Sequence, residues 1–575
     1  MEYCLYAKDD ITKGGIFVFS RKTIFIGIFV VLTCFFISPA ILGAESKENT
    51  EKDSLYIISK YGLKGFIDNT GKIVIKPRFE DCAPFSEELA AVKDYDDNTD
   101  SFKWGFIDGS GAMIIPPRYE EVLPFQEGMA GVKLPEEKGG KWGFINRSGK
   151  QVIKPKFDSV ESFINGLAKV SLDGKYGLVD TAGKYVVTTK YAAISDYEEG
   201  LARINIGGSI EEGELTGGKW GFIDNSGKVV IVPRYDYVGD FDEGLAMIKL
   251  NGKWGYIDKQ GEFVVEPKYY DVWSFEENGL AKVQIVDWED EEGNTAGGKY
   301  GVVDRSGNLV LEPKYDIVYF FEDGLIGICI NHKWGYADKT GKVIINPKYE
   351  DVNSFVDGLA IINVGGTRDS DGYMNGGKWG FIDINDKMII KPNYDNVFQF
   401  KEGLAAVLLN GRWGFIDKNG KMMIRPIYDD VGPLRDGIAK MKLNGKWGLI
   451  DKSGQTVIEP VYDEVDLYEG GVIVVCLNGK YGFINKKGIF IDEPRFDWYR
   501  YFDGDWFLVN IGGEADEDGL DIEGGKWGLI SKSGMVVEPQ FDDIKEFQNG
   551  LAEVSVGNKI GYLNQNGKCI WEPTE

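Results

Sequence analysis

The chain has 575 residues, a single histidine and a formal net charge of −26. This acidic balance argues against nucleic-acid binding through phosphate contacts, which need clustered Lys and Arg. One histidine argues against His-based catalysis and His-rich metal sites, while an apolar share of 43% is ample for a packed core.

An apolar run lies near the N-terminus. Residues 24–42 carry no charge and follow Arg21 and Lys22, a pattern typical of a secretory signal. A run of this length can also span a bilayer, so an uncleaved membrane anchor is the alternative. We interpret residues 1–44 as signal peptide or anchor, 45–54 as a short polar linker, and 55–575 as an extracytoplasmic domain, secreted or anchored.

One unit recurs fourteen times from residue 55 to the C-terminus, with a core close to Lys-Trp-Gly-Phe-Ile-Asp. Its central glycines are Gly65, Gly105, Gly143, Gly177, Gly221, Gly255, Gly301, Gly335, Gly380, Gly414, Gly448, Gly482, Gly528 and Gly561. The pattern resembles the WG-repeat (KWG-repeat) family of bacterial tandem-repeat proteins. That resemblance implies an all-β repeat protein, often exported, with no catalytic residues to carry over.

Each unit contains a turn such as Asp417-Lys418-Asn419-Gly420. Asp at the first position accepts backbone N–H bonds, and Gly at the fourth tolerates left-handed φ. Asp386 replaces that Gly in one copy and is itself fairly tolerant of this conformation. We therefore interpret the repeated aspartates as turn residues and not as a carboxylate active site.

The segments on either side of this turn predict a β-hairpin. Trp-Gly-Phe-Ile-Asp reads as one strand, and the next strand is closed by Pro, which cannot donate to a ladder. A preceding Gly-Leu-Ala-x-Val strand enters through a tight connection, which is Asn-Gly or Asp-Gly in five copies. The unit is thus a three-stranded meander, and the link at residues 428–434 is a candidate for a short fourth strand.

Two scarce residue types receive structural interpretations. His332 occupies a tight turn where other copies have Gly, and His is enriched at positive φ, so we predict a turn residue. The four cysteines beyond the leader are widely scattered, which favours small buried hydrophobes over a disulfide framework or metal site. They are Cys82, Cys329, Cys476 and Cys569.

Tryptophan has two candidate roles. At the repeat position it predicts packing between neighbouring units, with Gly permitting close backbone approach. The alternative is a ladder of exposed rings that stack on sugars. Four tryptophans off this register are the better candidates for ligand contact: Trp273, Trp288, Trp498 and Trp506.

Six insertions all enter before the Trp-Gly strand and hold 22 acidic and two basic residues. They span residues 94–102, 134–140, 205–218, 286–298, 363–377 and 510–525. The candidate partner contacts are Asp287, Glu289, Asp290, Glu291, Glu292, Asp516, Glu517 and Asp518. Asp516 and Asp518 weakly resemble the start of a calcium-binding loop, but the spacing of such a loop is absent. We therefore favour solvated hairpin tips over weak Ca²⁺ binding.

Fourteen units exceed the usual four to eight blades of a propeller. We therefore expect one open superhelical array, with propeller-like domains as the alternative, and insertions projecting from one side if two units make one turn. No nucleophile and base are assignable, which argues against an enzyme. The expected function is a non-catalytic exported or cell-envelope scaffold that binds protein, with a basic partner favoured by the acidic loops. Cell-wall glycan binding through aromatic side chains is the alternative, and membrane contact is expected only through residues 24–42.

Overall fold

The structure is a computed structural model, and it describes residues 55–96, 100–211, 213–286, 288–289, 295–296, 298–369, 373–503, 506–515 and 522–574. These residues form fourteen antiparallel sheets, called blades 1–14 in chain order; blade 1 has three strands and the others have four. The predicted all-β class, the fourteen units and the short fourth strand are confirmed. The predicted leader and linker lie outside the described residues. Of the helices in the described part, none is long and apolar enough to cross a membrane.

The strands follow one another along the chain, and two insertions add small hairpins beside blades 5 and 7. In blades 1–7 they are β1 (Tyr56–Lys60), β2 (Leu63–Ile67), β3 (Ile73–Phe79); β4 (Asp81–Cys82), β5 (Leu89–Asp96), β6 (Ser101–Asp108), β7 (Met113–Tyr119); β8 (Glu121–Val122), β9 (Met129–Lys133), β10 (Trp142–Asn146), β11 (Gln151–Phe157); β12 (Ser159–Val160), β13 (Leu167–Leu172), β14 (Lys175–Asp180), β15 (Tyr185–Tyr191); β16 (Ala193–Glu198), β17 (Leu201–Ile206), β18 (Ser209–Glu211), β19 (Glu214–Thr216), β20 (Lys219–Asp224), β21 (Val229–Tyr235); β22 (Tyr237–Val238), β23 (Leu245–Leu250), β24 (Lys253–Asp258), β25 (Phe263–Tyr269); β26 (Asp271–Val272), β27 (Leu280–Ile285), β28 (Trp288–Glu289), β29 (Thr295–Ala296), β30 (Lys299–Asp304) and β31 (Leu309–Tyr315).

Blades 8–14 continue the pattern. Their strands are β32 (Ile317–Phe320), β33 (Ile326–Ile330), β34 (Lys333–Ala337), β35 (Val343–Tyr349); β36 (Asp351–Val352), β37 (Ala360–Arg368), β38 (Met374–Ile382), β39 (Met388–Tyr394); β40 (Asn396–Val397), β41 (Leu404–Leu409), β42 (Arg412–Asp417), β43 (Met422–Tyr428); β44 (Asp430–Val431), β45 (Ile438–Leu443), β46 (Lys446–Asp451), β47 (Thr456–Tyr462); β48 (Glu464–Leu467), β49 (Val472–Leu477), β50 (Lys480–Asn485), β51 (Phe490–Phe496); β52 (Trp498–Asp503), β53 (Trp506–Ala515), β54 (Ile522–Ser531), β55 (Gly534–Phe541); β56 (Asp543–Gln548), β57 (Leu551–Val556), β58 (Lys559–Asn564) and β59 (Cys569–Thr574). Two single 3₁₀ turns occur at Glu136–Lys138 and Glu469–Gly471.

The four strands of a blade are called a, b, c and d in chain order, and they pair as a-b-c-d. Strand a is short, b carries Gly-Leu-Ala, c carries Trp-Gly, and d ends at the proline motif. The chain leaves strand d and enters strand a of the next blade. A sequence unit that begins at Trp-Gly therefore supplies c and d of one blade and a and b of the next, which ties neighbouring blades together covalently.

The tight turns have the predicted conformations. In seven of the eight short b–c turns both central residues have positive φ, as in Asn410 (52°) and Gly411 (75°), and His332 (60°) occupies the glycine position of its own turn; in blade 14 only Gly557 (59°) does. Twelve glycines of the c–d turns have φ between 72° and 84°, and Asp386 adopts 63°. The turn interpretations of the aspartate motif and of His332 are confirmed.

Glycine at the Trp-Gly position is required by close backbone approach. A Cβ atom there would lie 2.2–2.7 Å from a carbonyl oxygen of strand d in thirteen blades, and 2.5 Å from Pro494 N in blade 12. Every c–d pair also shifts register just after the tryptophan position, as between Trp413 and Phe415. The bulge and the missing side chain together let strand d cross close to strand c.

The hydrophobic core lies between blades. Fourteen buried clusters each contain side chains from two neighbouring blades. The nine tryptophans of the repeat position are buried or half-buried. One cluster joins Trp413 and Tyr428 of blade 10 to Val431 and Met441 of blade 11. The predicted packing of tryptophan between units is confirmed. Cys329 and Cys476 are buried, in agreement with their interpretation as small hydrophobes, and Cys82 and Cys569 are half-buried.

The fourteenth cluster closes the array into a ring. It joins Ile58 and Ile67 of blade 1 to Leu551 and Tyr562 of blade 14. The Tyr562 hydroxyl donates to the Ile57 carbonyl oxygen at 2.8 Å. Of the two arrangements considered from the sequence, the propeller-like one is therefore the arrangement of this chain, and the expected open end does not occur. A ring hides the apolar face that each terminal unit of an open array would expose.

Two sets of charged side chains link neighbouring blades, and neither was predicted from the sequence. In ten blades the Lys or Arg before the repeat aromatic and Gly pairs with the acidic residue that precedes the next strand a, as in Lys333–Glu350 at 2.6 Å. An acidic residue in the a–b turn accepts a backbone N–H from the next blade, as Glu402 does from Gly437 at 3.0 Å, and pairs with Lys452 at 2.8 Å.

These linking carboxylates predict acid sensitivity. The Lys141 ammonium and then the Asp173 N–H lower the pKa of Asp158; Lys526 and then the Gly557 N–H lower the pKa of Asp542. Unfolded Asp has a pKa of about 3.9, so the stabilisation is complete above about pH 5 and is lost as pH falls through the lower folded-state values. We expect the Tm measured by scanning calorimetry to fall steeply below about pH 4. Asp542→Asn is expected to melt below the wild type at pH 7 and to approach it in acid; a constant gap between them would contradict the assignment.

Candidate functional site

The six insertions identify one face of the ring. Each lies in the b–c connection of its blade, and every blade has the same topology, so all six project from the same side. This side is called the b–c face; it carries insertions on blades 2, 3, 5, 7, 9 and 13. The expected projection from one side holds, but its cause is the shared connection within a ring and not a two-unit superhelical turn.

Most insertions prolong the blade as hairpins. In blade 9 strands b and c extend to the pair Arg368↔Met374, and in blade 13 to Ala515↔Ile522. Blades 5 and 7 carry separate two-stranded hairpins, blade 2 lengthens both strands, and blade 3 has a single 3₁₀ turn. The longer hairpins thus stand on the rigid sheets beneath them.

Three of the hairpins share a buried asparagine anchor at their base. Asn205, Asn363 and Asn510, in blades 5, 9 and 13, are fully buried. The Asn363 side chain accepts from Gly366 N at 3.1 Å and donates to Gly376 O at 3.3 Å, and the other two make the corresponding pair of bonds. This anchor was not predicted from the sequence, although Asn-x-Gly-Gly before the tip and Gly-Gly-Lys-Trp after it recur in all three insertions.

Replacing Asn363 by alanine tests the anchor. The change removes the two part-buried hydrogen bonds to Gly366 N and Gly376 O that hold the neck, each worth about 0.5–1.5 kcal/mol. We expect amides of residues 364–368 and 374–378 to lose hydrogen-exchange protection while blades 8 and 10 keep theirs. Thr367→Ala, on an exposed side chain of the same hairpin, is the control and is expected to change protection little.

A second anchor holds the blade 9 hairpin. Arg368 donates to the buried Asp351 carboxylate at 2.6 Å, so the hairpin is tied to strand a of its own blade. Burial raises the pKa of Asp351, and the Arg368 charge acts in the opposite direction. A buried carboxylate of this kind needs its cation, because an unpaired buried charge is costly.

Apolar side chains are exposed on the same face. Tyr95 and Phe102 of blade 2 are each 45% exposed, with ring centroids 5.5 Å apart. Ile210 on the blade 5 hairpin is 58% exposed, and Val364 at the base of the blade 9 hairpin is 40% exposed. The face therefore combines exposed apolar side chains with the acidic residues of the insertions.

The off-register tryptophans lie in blades 7 and 13. Trp273 is half-buried, with its ring 5.7 Å from that of Tyr300. The Trp498 indole N–H donates to Gly513 O at 3.1 Å, so this ring supports the neck of the blade 13 hairpin. Trp506 begins strand β53, and Trp288 lies in the small hairpin of blade 7. The structure does not bring the four into one site, and ligand contact by them stays a prediction.

Most of the predicted acidic contacts are beyond the described chain. Glu289 lies in strand β28, while Asp287, Asp290, Glu291, Glu292, Asp516, Glu517 and Asp518 lie outside the described residues. Within the part of the chain that the structure describes, no group of three or more His, Cys, Asp or Glu is placed to hold a metal ion. The candidate for weak Ca²⁺ binding lies at residues 516–519, which are outside the described residues.

Comparison with solved structures finds matches of low overall similarity. A eukaryotic initiation factor matches with 12% identity and a TM-score of 0.30 over 60% of this chain and 96% of its own. The extracellular domain of a hybrid two component system from B. thetaiotaomicron matches with 9% identity and a TM-score of 0.19, over 91% and 83%. Kluyveromyces lactis Hsv2 matches with 10% identity and a TM-score of 0.23, over 45% and 97%. The search of the curated proteins found no match.

The family comparison is decisive. The model described as "WG containing repeat" matches thirteen tandem segments, each beginning at or next to a Trp-Gly position. They are residues 65–97, 104–134, 142–176, 176–209, 220–254, 254–285, 300–334, 334–367, 379–413, 413–447, 447–481, 481–514 and 527–559. Together they cover most of the sequence, and strands β58 and β59 complete the fourteenth blade beyond the last match. The chain therefore belongs to the WG containing repeat family.

Proposed function

We propose that the protein is a non-catalytic scaffold of the cell envelope, exported or anchored through residues 24–42, that binds another protein on its b–c face. The observation that carries the proposal is the placement of all six insertions on one face of a ring. Separate loops on a common face can engage one large partner together, whereas loops scattered over both faces could not.

Charge and apolar exposure on that face define the partner. The insertions hold 22 acidic and two basic residues, and exposed Tyr95, Phe102 and Ile210 lie among them. A protein surface with basic residues around an apolar centre would complement both features. Electrostatic attraction would speed its association and would weaken as salt is added.

The ring supplies a clean way to remove these loops. Leu409 pairs with Arg412 across Asn410-Gly411 in blade 10, and the equivalent pair in blade 9 is Val364 and Lys378. Asn-Gly can therefore replace residues 365–377 and keep the strand pairing below. The same replacement applies to residues 207–218 of blade 5 and 512–525 of blade 13.

The deletion in blade 9 also removes Arg368 from buried Asp351 and both hydrogen-bond partners from buried Asn363. The variant therefore also carries Asp351→Asn and Asn363→Leu, the residues that blade 10 has at these positions (Asn396 and Leu408), and the other two anchor asparagines change to Leu for the same reason.

Affinity capture from the envelope fraction of the producing cells tests the proposal. The full chain is expected to recover a protein that the three-loop variant does not recover. A second variant, with the acidic residues of these loops changed to their amides, separates the contribution of charge from that of hairpin shape. Recovery of the same protein in equal amount by the three-loop variant would count against the b–c face.

Cell-wall glycan is the alternative ligand, and the exposed Tyr95–Phe102 pair is the observation that favours it. Aromatic faces stack on sugar rings, and these two rings are accessible on the blade 2 hairpin. Co-sedimentation with peptidoglycan or wall polysaccharide, compared between the wild type and Tyr95→Ala/Phe102→Ala, distinguishes the two ligands.

A further inference from the structure

Charge of the opposite sign is concentrated on the d strands of blades 1–5. The five segments 72–78, 112–118, 150–156, 184–190 and 228–234 contain eleven Lys and Arg and no Asp or Glu. They run from the end of the c–d turn to the residue before the buried aromatic of each strand, and their Lys and Arg side chains are exposed. These five segments are called the basic band.

The cations of the band are not neutralised within the described chain. None of the eleven forms an ion pair there. Lys387, Lys391, Lys421 and Arg425 of blades 9 and 10 likewise form none within the described residues, whereas Lys348 of blade 8 pairs with Asp386, and Arg495 of blade 12 pairs with Asp492 and Glu538. Three carboxylates that follow the band strands, Glu120, Asp158 and Asp236, are paired with the Lys before Trp-Gly. Glu120, for example, pairs with Lys103 at 2.7 Å.

Aromatic rings hold several of these cations in place without removing their charge. The Arg78 guanidinium lies 4.7 Å from the centroid of Phe79, and the Lys156 ammonium lies 4.9 Å from that of Phe157 and 4.6 Å from that of Tyr185. Arg118 also donates to Gly149 O of the next blade at 3.0 Å. A side chain that is already positioned loses less conformational entropy when it binds an anion.

Protection of sheet edges does not explain the sign of this charge. Strand d is an edge of each blade, and charged residues of either sign discourage pairing between edges. The equivalent segments of blades 11–14 hold five acidic and two basic residues, so acidic side chains serve there. Blades 8–10 form a second all-basic run with six Lys and Arg, so blades 1–5 are the longer of two such runs. A uniform sign over five neighbouring blades is what a long complementary ligand would require.

We propose that the basic band binds a linear polyanion that runs across the edges of blades 1–5. Each segment is about 20 Å long at about 3.3 Å per residue, and neighbouring segments lie on adjacent blades, so a chain with repeated charges can meet several cations at once. The acidic net charge argues against nucleic-acid binding through phosphate contacts, but it is a sum over the chain, and the basic band lies apart from the acidic insertions of the b–c face. The band is distinct from the b–c face and does not depend on the function proposed for it.

Fluorescence anisotropy with the full chain tests the band, using labelled poly(glycerol phosphate) for phosphodiester charge and polygalacturonate for carboxylate charge. Lys72→Glu/Lys76→Glu/Lys150→Glu/Lys154→Glu reverses four cations in blades 1 and 3. Its matched control, Lys387→Glu/Lys391→Glu/Lys421→Glu/Arg425→Glu, reverses the same strand positions in blades 9 and 10, where the side chains are equally exposed. Both variants change the net charge by the same amount.

Wild type is expected to bind at least one polymer with an affinity that falls linearly on a log–log salt plot. The band variant is expected to bind about 10-fold or more weakly, and the slope of log affinity against log salt concentration is expected to fall in magnitude by up to about 3. The affinity of the control variant is expected to change less than about 2-fold. Lys→Gln at the four band positions should weaken binding in the same direction if the Glu variant fails to fold. Four results would each overturn the proposal. They are equal weakening of polymer binding in the band and control variants, no binding of either polymer at low salt, binding of anionic vesicles alone, and salt-sensitive self-association alone.

Discussion

Gly105→Ala is expected to unfold or strongly distort blade 2. A Cβ atom at this position would lie 2.4 Å from Ile115 O and 2.8 Å from Pro117 N, both of them backbone atoms of strand d. Overpacking costs about 1–3 kcal/mol and occasionally more, and the upper end applies here because the obstructing atoms are backbone and cannot turn aside. We expect loss of hydrogen-exchange protection throughout strands β5–β7 and an earlier step in urea unfolding.

Gly109→Ala provides a control four residues away in the same blade. Nothing lies within 4 Å of a Cβ atom at Gly109, and its φ is not in the left-handed region. The substitution is expected to be neutral or to stabilise by up to about 1 kcal/mol, because alanine restricts the unfolded chain. Equal effects at the two positions would show that the strand c–d approach does not explain the Trp-Gly glycine.

Tyr562→Ala is expected to open the ring. Tyr562 packs against Ile58 and Ile67 of blade 1, and its ring centroid lies 5.5 Å from that of Tyr56. Removing a buried aromatic side chain costs about 3–5 kcal/mol. Because this junction joins the two ends of the chain, we expect the amides of strand β1 to lose protection, although they are about 500 residues away in sequence.

Tyr256→Ala is the matched control, at the same strand position in blade 6. Tyr256 is buried and packs between blades 6 and 7, so its loss is expected to weaken protection there and leave strand β1 unchanged. In an open array, Tyr562→Ala would affect blade 14 alone. Amide hydrogen exchange at residues 56–60 in Tyr562→Ala therefore distinguishes a ring from an open superhelix.

The sequence was most informative where structure depends on neighbouring residues. Asn410-Gly411 predicts its turn because both residues need positive φ, and His332 follows the same rule. The Trp-Gly strand and its proline-ended partner are likewise readable within about twenty residues. The position of the insertions was also visible, because the interruptions always precede Trp-Gly.

The features that were missed depend on residues from different blades or from both ends of an insertion. Asn363 appears in sequence as an ordinary loop residue until its neck folds around it. Lys333 and Glu350 are separated by a turn and a whole strand before they meet. The basic band was hidden by the net charge, since a sum over the chain carries no information on where opposite charges lie.

The sequence by itself determined the blade: its strands, its turns and the residues that face neighbouring units. Only the tertiary structure decided that fourteen blades close into one ring. The physical reason is that turn chemistry and period-two burial act over a few residues, whereas closure depends on a small rotation repeated at every blade interface. No single residue encodes that rotation. Blades 1 and 14 come into contact only when the rotations at all the interfaces between them have added up.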